Sequence, residues 1–155
     1  MKKNSIVELT FTKWSEKGLA QAEGVQVPFV APGDTALIYI ARVDTKNSYG
    51  ILERLITKSK DRVDPPCDIF GRCGGCHLQH VTYDAQTNYK IEYIKNLLKL
   101  SSAPDFIPAT PVLNYRNKSQ FTIDGGNIGL SAPRSQRIID CDSCAIQHPL
   151  TNTVL

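Results

Sequence analysis

Three cysteines within ten residues, Cys67-x5-Cys73-x2-Cys76, lie in a stretch with no other visible means of holding a shape. Residues 61–81 (DRVDPPCDIFGRCGGCHLQHV) carry two prolines, three glycines and no sustained hydrophobic period. Ordering each residue costs about 1–2 kcal/mol of backbone entropy. The segment therefore needs a cross-link. Cys141 and Cys144 bring the total to five. An odd count argues against a disulfide framework. The opening residues, MKKNSIVELTF, contain two lysines, and Glu8 interrupts the apolar run after them, so no export signal is predicted and a cytoplasmic location is expected. In a reducing compartment clustered cysteines more often bind metal.

The spacing favours one centre. A two-residue gap lets Cys73 and Cys76 turn back onto the same point, with Gly74 and Gly75 removing the Cβ crowding of such a turn. The five-residue gap reaches a third corner at Cys67. Cys144 or Cys141 supplies the fourth thiolate, and four thiolates around a compact cluster is the iron–sulfur pattern. Other readings stay open. Zinc on Cys73-x2-Cys76 and Cys141-x2-Cys144 leaves 64 residues between the pairs and Cys67 idle. Cys73-Gly74-Gly75-Cys76-His77 fits the c-type haem signature, although that attachment normally needs export. Scattered buried cysteines are the bland alternative. His77 and His80 are expected beside the site rather than in it.

The rest of the chain reads as α+β. Its 155 residues, 41% apolar and 21% charged, suit one ordinary domain or two small ones. A net charge of +3 permits an anionic partner without demanding one. No run approaches the roughly 20 apolar residues of a membrane span. Residues 1–60 predict about five short strands closing into a small barrel. Ser5–Thr12, Val25–Val30, Ala36–Val43 and Tyr49–Thr57 are β-prone runs, with Pro28 marking an edge or bend and Gly18, Gly24, Pro32-Gly33-Asp34 and Asn47-Ser48 supplying turns. Residues 82–101 predict one long helix, capped by Thr82 and ended at Ser101-Ser102-Ala103-Pro104. Tyr83, Ala85, Tyr89, Tyr93, Ile94, Leu97 and Leu98 form its broad apolar face. A small sheet comes next, with Lys118–Ile123 and Ile128–Ser131 as a hairpin around Asp124-Gly125-Gly126-Asn127, and Arg137–Asp140 as a third strand. Pro149 opens a helix that stops within two turns, a hint of truncation. The division predicted is 1–60 for the barrel and 61–155 for the cysteine-rich and central β part.

Several of these segments, in order, resemble one family. Asp61-Arg62-Val63-Asp64-Pro65-Pro66-Cys67, Phe70-Gly71-Arg72-Cys73-Gly74-Gly75-Cys76 and Gln79-His80-x2-Tyr83-x2-Gln86-x3-Lys90 resemble the iron–sulfur segment of bacterial RNA (uracil-5-)-methyltransferases, of the 23S rRNA type, with tRNA-modifying relatives. Tyr115-Arg116-Asn117-Lys118-x2-Phe121, Ile128-Gly129-Leu130 and Ile139-Asp140-x3-Cys144 continue the likeness. Gly18 to Gly24 and Pro32-Gly33-Asp34 are similar to a TRAM domain, a five-stranded barrel of OB type. The resemblance spans essentially the whole chain.

It implies a [4Fe–4S] cluster on Cys67, Cys73, Cys76 and Cys144, with Cys141 an extra where the family usually has another residue. It also implies S-adenosylmethionine chemistry, with a nucleophilic cysteine that adds at uracil C6, a glutamate base and a flipped target base. No glycine-rich nucleotide loop or long βα alternation appears in the sequence. No catalytic residue and no S-adenosylmethionine contact is therefore assigned. The chain is expected to bind RNA, 23S rRNA or tRNA, and not to methylate by itself. A stand-alone zinc-binding RNA module is the alternative. Candidate RNA contacts are Lys13, Trp14 and Lys17 on the barrel and the pair Arg116 and Lys118, one strand face beside the cluster. Lys2, Lys3 and Tyr49 add charge and a stacking face, while Phe11 and Tyr39 are expected in the core. Trp14 is expected as a surface aromatic. Arg134 and Arg137 are weaker candidates, and Lys58 and Lys60 are read as solvated linker charges.

Overall fold

The computed structural model describes residues 1–153 and 155. It divides into two compact units: residues 1–64 with 80–105, and residues 65–79 with 106–155. The expected cut after residue 60 put the helix with the cysteines. It groups instead with the sheet of the first unit, because an aromatic side chain on the helix packs there.

The first unit holds six strands, one more than the five predicted. They are β1 (Ile6–Thr10), β2 (Lys13–Trp14), β3 (Ala20–Ala22), β4 (Val25–Val27), β5 (Thr35–Val43) and β6 (Ser48–Thr57). Their order in the sheet is β1-β5-β6-β4-β3-β2. The two edge strands are thus neighbours in the chain, separated only by Phe11 and Thr12, so the sheet must curl to bring its edges together. Phe11 sits in that gap, donating to the Asp34 carbonyl at 2.9 Å and accepting from Gly33 N–H at 2.7 Å. Three register shifts along β5 and β6 give the bend, since an extra residue in one strand kinks it and deepens its twist. Inside the curl, Leu9, Phe11, Val25, Val27, Val30, Ile38 and Ile40 form the core. Phe11 is core, as expected. Tyr39 is half-buried and donates from its hydroxyl to Asn4 Oδ1 at 2.9 Å. The run Val25–Val30 breaks after Val27 at Pro28 and Phe29, whose φ of +63° turns the chain.

The helix α1 spans Tyr83–Leu97, and Thr82 caps it by accepting from Ala85 N–H at 3.3 Å. Its anchor is Tyr89, whose hydroxyl donates to the Ser15 carbonyl at 3.3 Å and whose ring lies 5.5 Å from Trp14. The predicted apolar face is only partly used. Leu97 and Leu98 are 59% and 60% exposed, and Ile94 is also exposed. Helical spacing places those residues on a face but does not supply a partner for it.

The second unit contains a three-stranded sheet, β7 (Thr122–Asp124), β8 (Asn127–Ser131) and β9 (Ile138–Asp140), and a one-turn helix α2 (Pro149–Asn152). Gly125 and Gly126, with φ of +57° and +87°, make the two-residue hairpin loop between β7 and β8. That conformation demands positive φ at both positions and suits glycine. Residues 118–121 are not strand; pairing begins at Thr122. The apolar centre of this unit is small: Ile69, Cys73, Ala132, Ile139 and Cys141, with Cys67, Leu130 and Leu155 against it.

Candidate metal centre and nucleic-acid contacts

The cysteine loop starts and ends on a stem built by the first unit. Val63 N–H donates to the His80 carbonyl at 3.0 Å, Thr82 N–H to the Asp61 carbonyl at 2.8 Å, and Arg62 bridges Val81. Between these ends the loop folds within the second unit. Ile69 accepts from Arg72 and Cys73 N–H, each at 3.0 Å, making a tight turn that buries Cys73. Gly74 then runs against the end of β8 and the backbone of Pro133. Its N–H donates to the Ser131 carbonyl at 3.0 Å, and a Cβ there would lie 3.3 Å from Pro133 Cα and from the Ser131 carbonyl. Close backbone approach is thus the reason for glycine at this position. Gly75 is open by comparison, meeting only the Cys73 sulfur.

This folding brings Cys67, Cys73, Cys76 and Cys144 onto one cavity of about 230 Å³, lined also by Ile69, Arg116, Leu130 and Ile146. Cys144 comes from 68 residues beyond Cys76 (144 minus 76) and is buried. Donors point at the sulfurs: Gly75 N–H at 3.3 Å from Cys73 Sγ, and the Gln79 side chain hydrogen-bonded to Cys76. Burial pushes the Cys76 thiol above its ordinary pKa. Gln79 opposes the shift, and the nearby Cys144, Cys73 and Cys67 groups add to it. Burial likewise raises Cys141, again with Cys144, Cys73 and Cys67 adding to the shift. Among the described residues, no three His, Cys, Asp or Glu side chains are placed to hold a single metal ion.

His77 is exposed, and His80 belongs to the first unit. His80 is 2% exposed, with its ring edge-on to Trp14 and Phe29. Its pKa is lowered to about 4: burial lowers it most and the Arg62 charge adds to that, while a hydrogen bond with Val30 and the Asp34 charge oppose the shift.

The basic candidates divide between the units. On the first, Lys13 is exposed beside Trp14, along a groove of about 570 Å³ between the sheet and α1. Trp14 is not a free surface aromatic. It is half-buried, packed on the sheet core and against Tyr89, because the helix lies over it. Exposed Lys17 reaches the Tyr49 hydroxyl at 3.4 Å and lies 5.8 Å from that ring, while Arg42 stacks on the same ring at 4.6 Å. Arg42, which no sequence motif singles out, is ion-paired with Asp44 at 2.5 Å, so its charge beside Tyr49 is partly neutralised. On the second unit, Arg116 and Lys118 do not share a strand face. Arg116 forms a lone bridge with Gln147, and its Nε donates to the Lys118 carbonyl at 2.9 Å. Arg116 lines the cysteine cavity, whereas Lys118 lies on the exposed segment beyond it. Lys2, Lys3, Lys58, Lys60, Arg134 and Arg137 are all exposed. Asn152, also without a signal in the sequence, holds Cys144 by both ends of its amide: Cys144 N–H donates to its Oδ1 at 3.0 Å, and its Nδ2 donates to the Cys144 carbonyl at 3.2 Å. Only proximity in space reveals that contact.

No protein-family model matches the chain. It is 34% identical, over 99% of its length, to an uncharacterized RNA methyltransferase of Halalkalibacterium halodurans, and covers 36% of that protein. It is 36% identical to another of Clostridium tetani, over all of this chain and 36% of the relative. The chain therefore spans about a third of the length of the curated relatives it matches. Among solved structures it is similar to the Pyrococcus abyssi tRNA (uracil-54, C5)-methyltransferase in complex with S-adenosyl-L-homocysteine. The TM-score is 0.72 at 27% identity, over 95% of this chain and 34% of that one. No helix among the described residues is long and apolar enough to cross a membrane.

Proposed function

We propose that the chain is related to these RNA methyltransferases as the RNA-binding, [4Fe–4S]-carrying part of an S-adenosylmethionine-dependent RNA (uracil-C5) methyltransferase acting on 23S rRNA in the cytoplasm. In this reading the curled sheet is an OB-like TRAM barrel. Methyl transfer belongs to the portion of the relatives' length that the chain does not span, so no catalytic residue is assigned here.

The observation that carries the reading is the convergence of Cys67, Cys73, Cys76 and Cys144 on one cavity. The donor set is all thiol, which suits iron–sulfur or zinc. Size is what favours the cluster in this reading. A water molecule occupies about 30 Å³, and the cavity of about 230 Å³ has room for several atoms. The sulfurs of a tetrahedral zinc site would close to within about 4 Å of one another, given a Zn–S bond of about 2.3 Å. Cys73 accepts from Gly75 N–H and Cys76 is hydrogen-bonded to the Gln79 side chain, and hydrogen bonds to sulfur are usual around such clusters. When bound, the cluster would cross-link a proline- and glycine-rich loop to the region of Cys144. The residues themselves bind it, exclude water through Ile69, Leu130 and Ile146, and present Arg116 at the cavity wall. A guanidinium there suits an RNA phosphate. Lys118 on the same unit, and separately Lys13 and Lys17 on the first unit, are further cationic candidates, and Trp14 contributes through the groove it lines with Lys13.

Anaerobic reconstitution with ferrous iron and sulfide tests the cluster. A brown chain absorbing near ~400 nm with about four irons supports it. A colourless chain that takes one zinc instead makes it a zinc-binding RNA module. A tRNA target is the second reading, favoured by the solved tRNA enzyme. Competition binding between a 23S rRNA fragment and a tRNA transcript decides: preference for the tRNA transfers the assignment.

A further inference from the structure

Cys141 is a fifth sulfur with no part in the proposed cluster, yet it is not placed as a bystander. It comes directly after β9, is only 8% exposed, and packs in one apolar group with Cys73 and Ile69, with Cys67 against them. It shares a second cavity, of about 380 Å³, with Cys67 and Cys144. The four-thiol cavity is lined by Cys144 and not by Cys141. Asn152 gives a reason for that choice, since its two hydrogen bonds fix the Cys144 backbone against α2. The two cysteines are three positions apart in one C-x2-C step, the spacing by which Cys73 and Cys76 reach a single cavity. Cys141 and Cys144 thus face a shared cavity whose lining includes Cys67, itself a member of the four-thiol set.

We propose that Cys141 is a reserve ligand that takes the fourth corner of the cluster when Cys144 is unavailable. Its thiol proton passes to solvent as the iron–sulfur bond forms, and no electron is exchanged. The proposal rests on the cluster reading above.

The test is anaerobic reconstitution of the full chain with ferrous iron and sulfide. Iron per chain, absorbance near ~400 nm and the electron paramagnetic resonance spectrum of the reduced protein are read. Wild type and Cys141→Ser should load equally. Cys144→Ser and Cys144→Ala should each keep more than about half of the iron, with an altered resonance spectrum, and the double variant Cys141→Ser/Cys144→Ser should keep less than about a tenth. Cys76→Ser, whose corner Cys141 does not approach, should also lose the iron. If both single Cys144 variants are as iron-poor as the double variant, the reserve role is overturned. If wild type takes up no iron, the cluster reading itself fails, and the two failures are thereby distinguished.

Discussion

Asp34 has no exposed surface, and its carboxylate accepts from Ala31 N–H at 2.7 Å, Ser59 N–H at 2.8 Å, and Arg62 Nε and a terminal guanidinium nitrogen at 3.2 and 2.6 Å. Burial alone would raise its pKa. The Arg62 hydrogen bonds, the two backbone donors and the Arg62 charge overcome that and lower it below 3.8. A depressed carboxylate contributes stability above its unfolded pKa and loses it as pH falls through the folded value. Asp34→Asn should cost the first unit about 3 kcal/mol, read by urea unfolding at neutral pH, because it leaves a nearly buried guanidinium without its counter-charge. His80 acts in a higher window. Its folded pKa of about 4 lies below the ordinary 6.5, so the unfolded chain binds the extra proton between those values. Stability should be full above pH 6.5 and fall by about 3 kcal/mol towards pH 4. His80→Gln should flatten that slope. In the sequence Pro32-Gly33-Asp34 reads as a turn and as part of the likeness to a TRAM domain; a pairing 28 residues away with Arg62 leaves no local signature.

At the scale of elements, the signals that worked are those whose physics is local. Thr82 caps α1 as its position before Asp84 and Ala85 predicts, and Thr82→Ala should lower the thermal midpoint by the equivalent of about 1 kcal/mol. The Gly125-Gly126 hairpin is equally legible, because its backbone demands those residues. Where an element depends on a partner, sequence and structure part. Lys118 to Phe121 are strand-prone but unpaired in the ladder, so the strand starts at Thr122. The last turn of α1 presents Ile94, Leu97 and Leu98 to solvent, since amphipathic spacing records a face and not what meets it. Gly74→Ala is the sharpest test of the cysteine loop. Its added methyl meets the backbone of Pro133 and Ser131, which cannot swing aside like a side-chain tip. The variant should load less iron than Gly75→Ala when both are reconstituted side by side.

Across the whole molecule, spacing alone groups Cys67, Cys73 and Cys76, and the structure brings Cys144 to the same cavity. The division of the chain is not legible in that way. The loop 65–79 leaves the first unit and returns to it, so a linear cut cannot describe the two units. If the cluster supplies much of the second unit's cohesion, its removal by an iron chelator should be selective. Hydrogen exchange should rise across 65–79 and 106–155 while the strands of the curled sheet, with their own apolar core, keep their protection. The stem of Val63, His80, Asp61 and Thr82 has a consequence for how such chains can diverge. Because its ends are already tied by the sheet-and-helix unit, the loop is relieved of closing itself, and doubling its length would add only about 0.6 kcal/mol. Insertions on the exposed approach to the loop, around Asp64 and Pro66, are therefore cheap, because they leave the turn at Ile69–Cys73 and the cysteine spacing intact. That stretch is where related genes should gain and lose codons most freely.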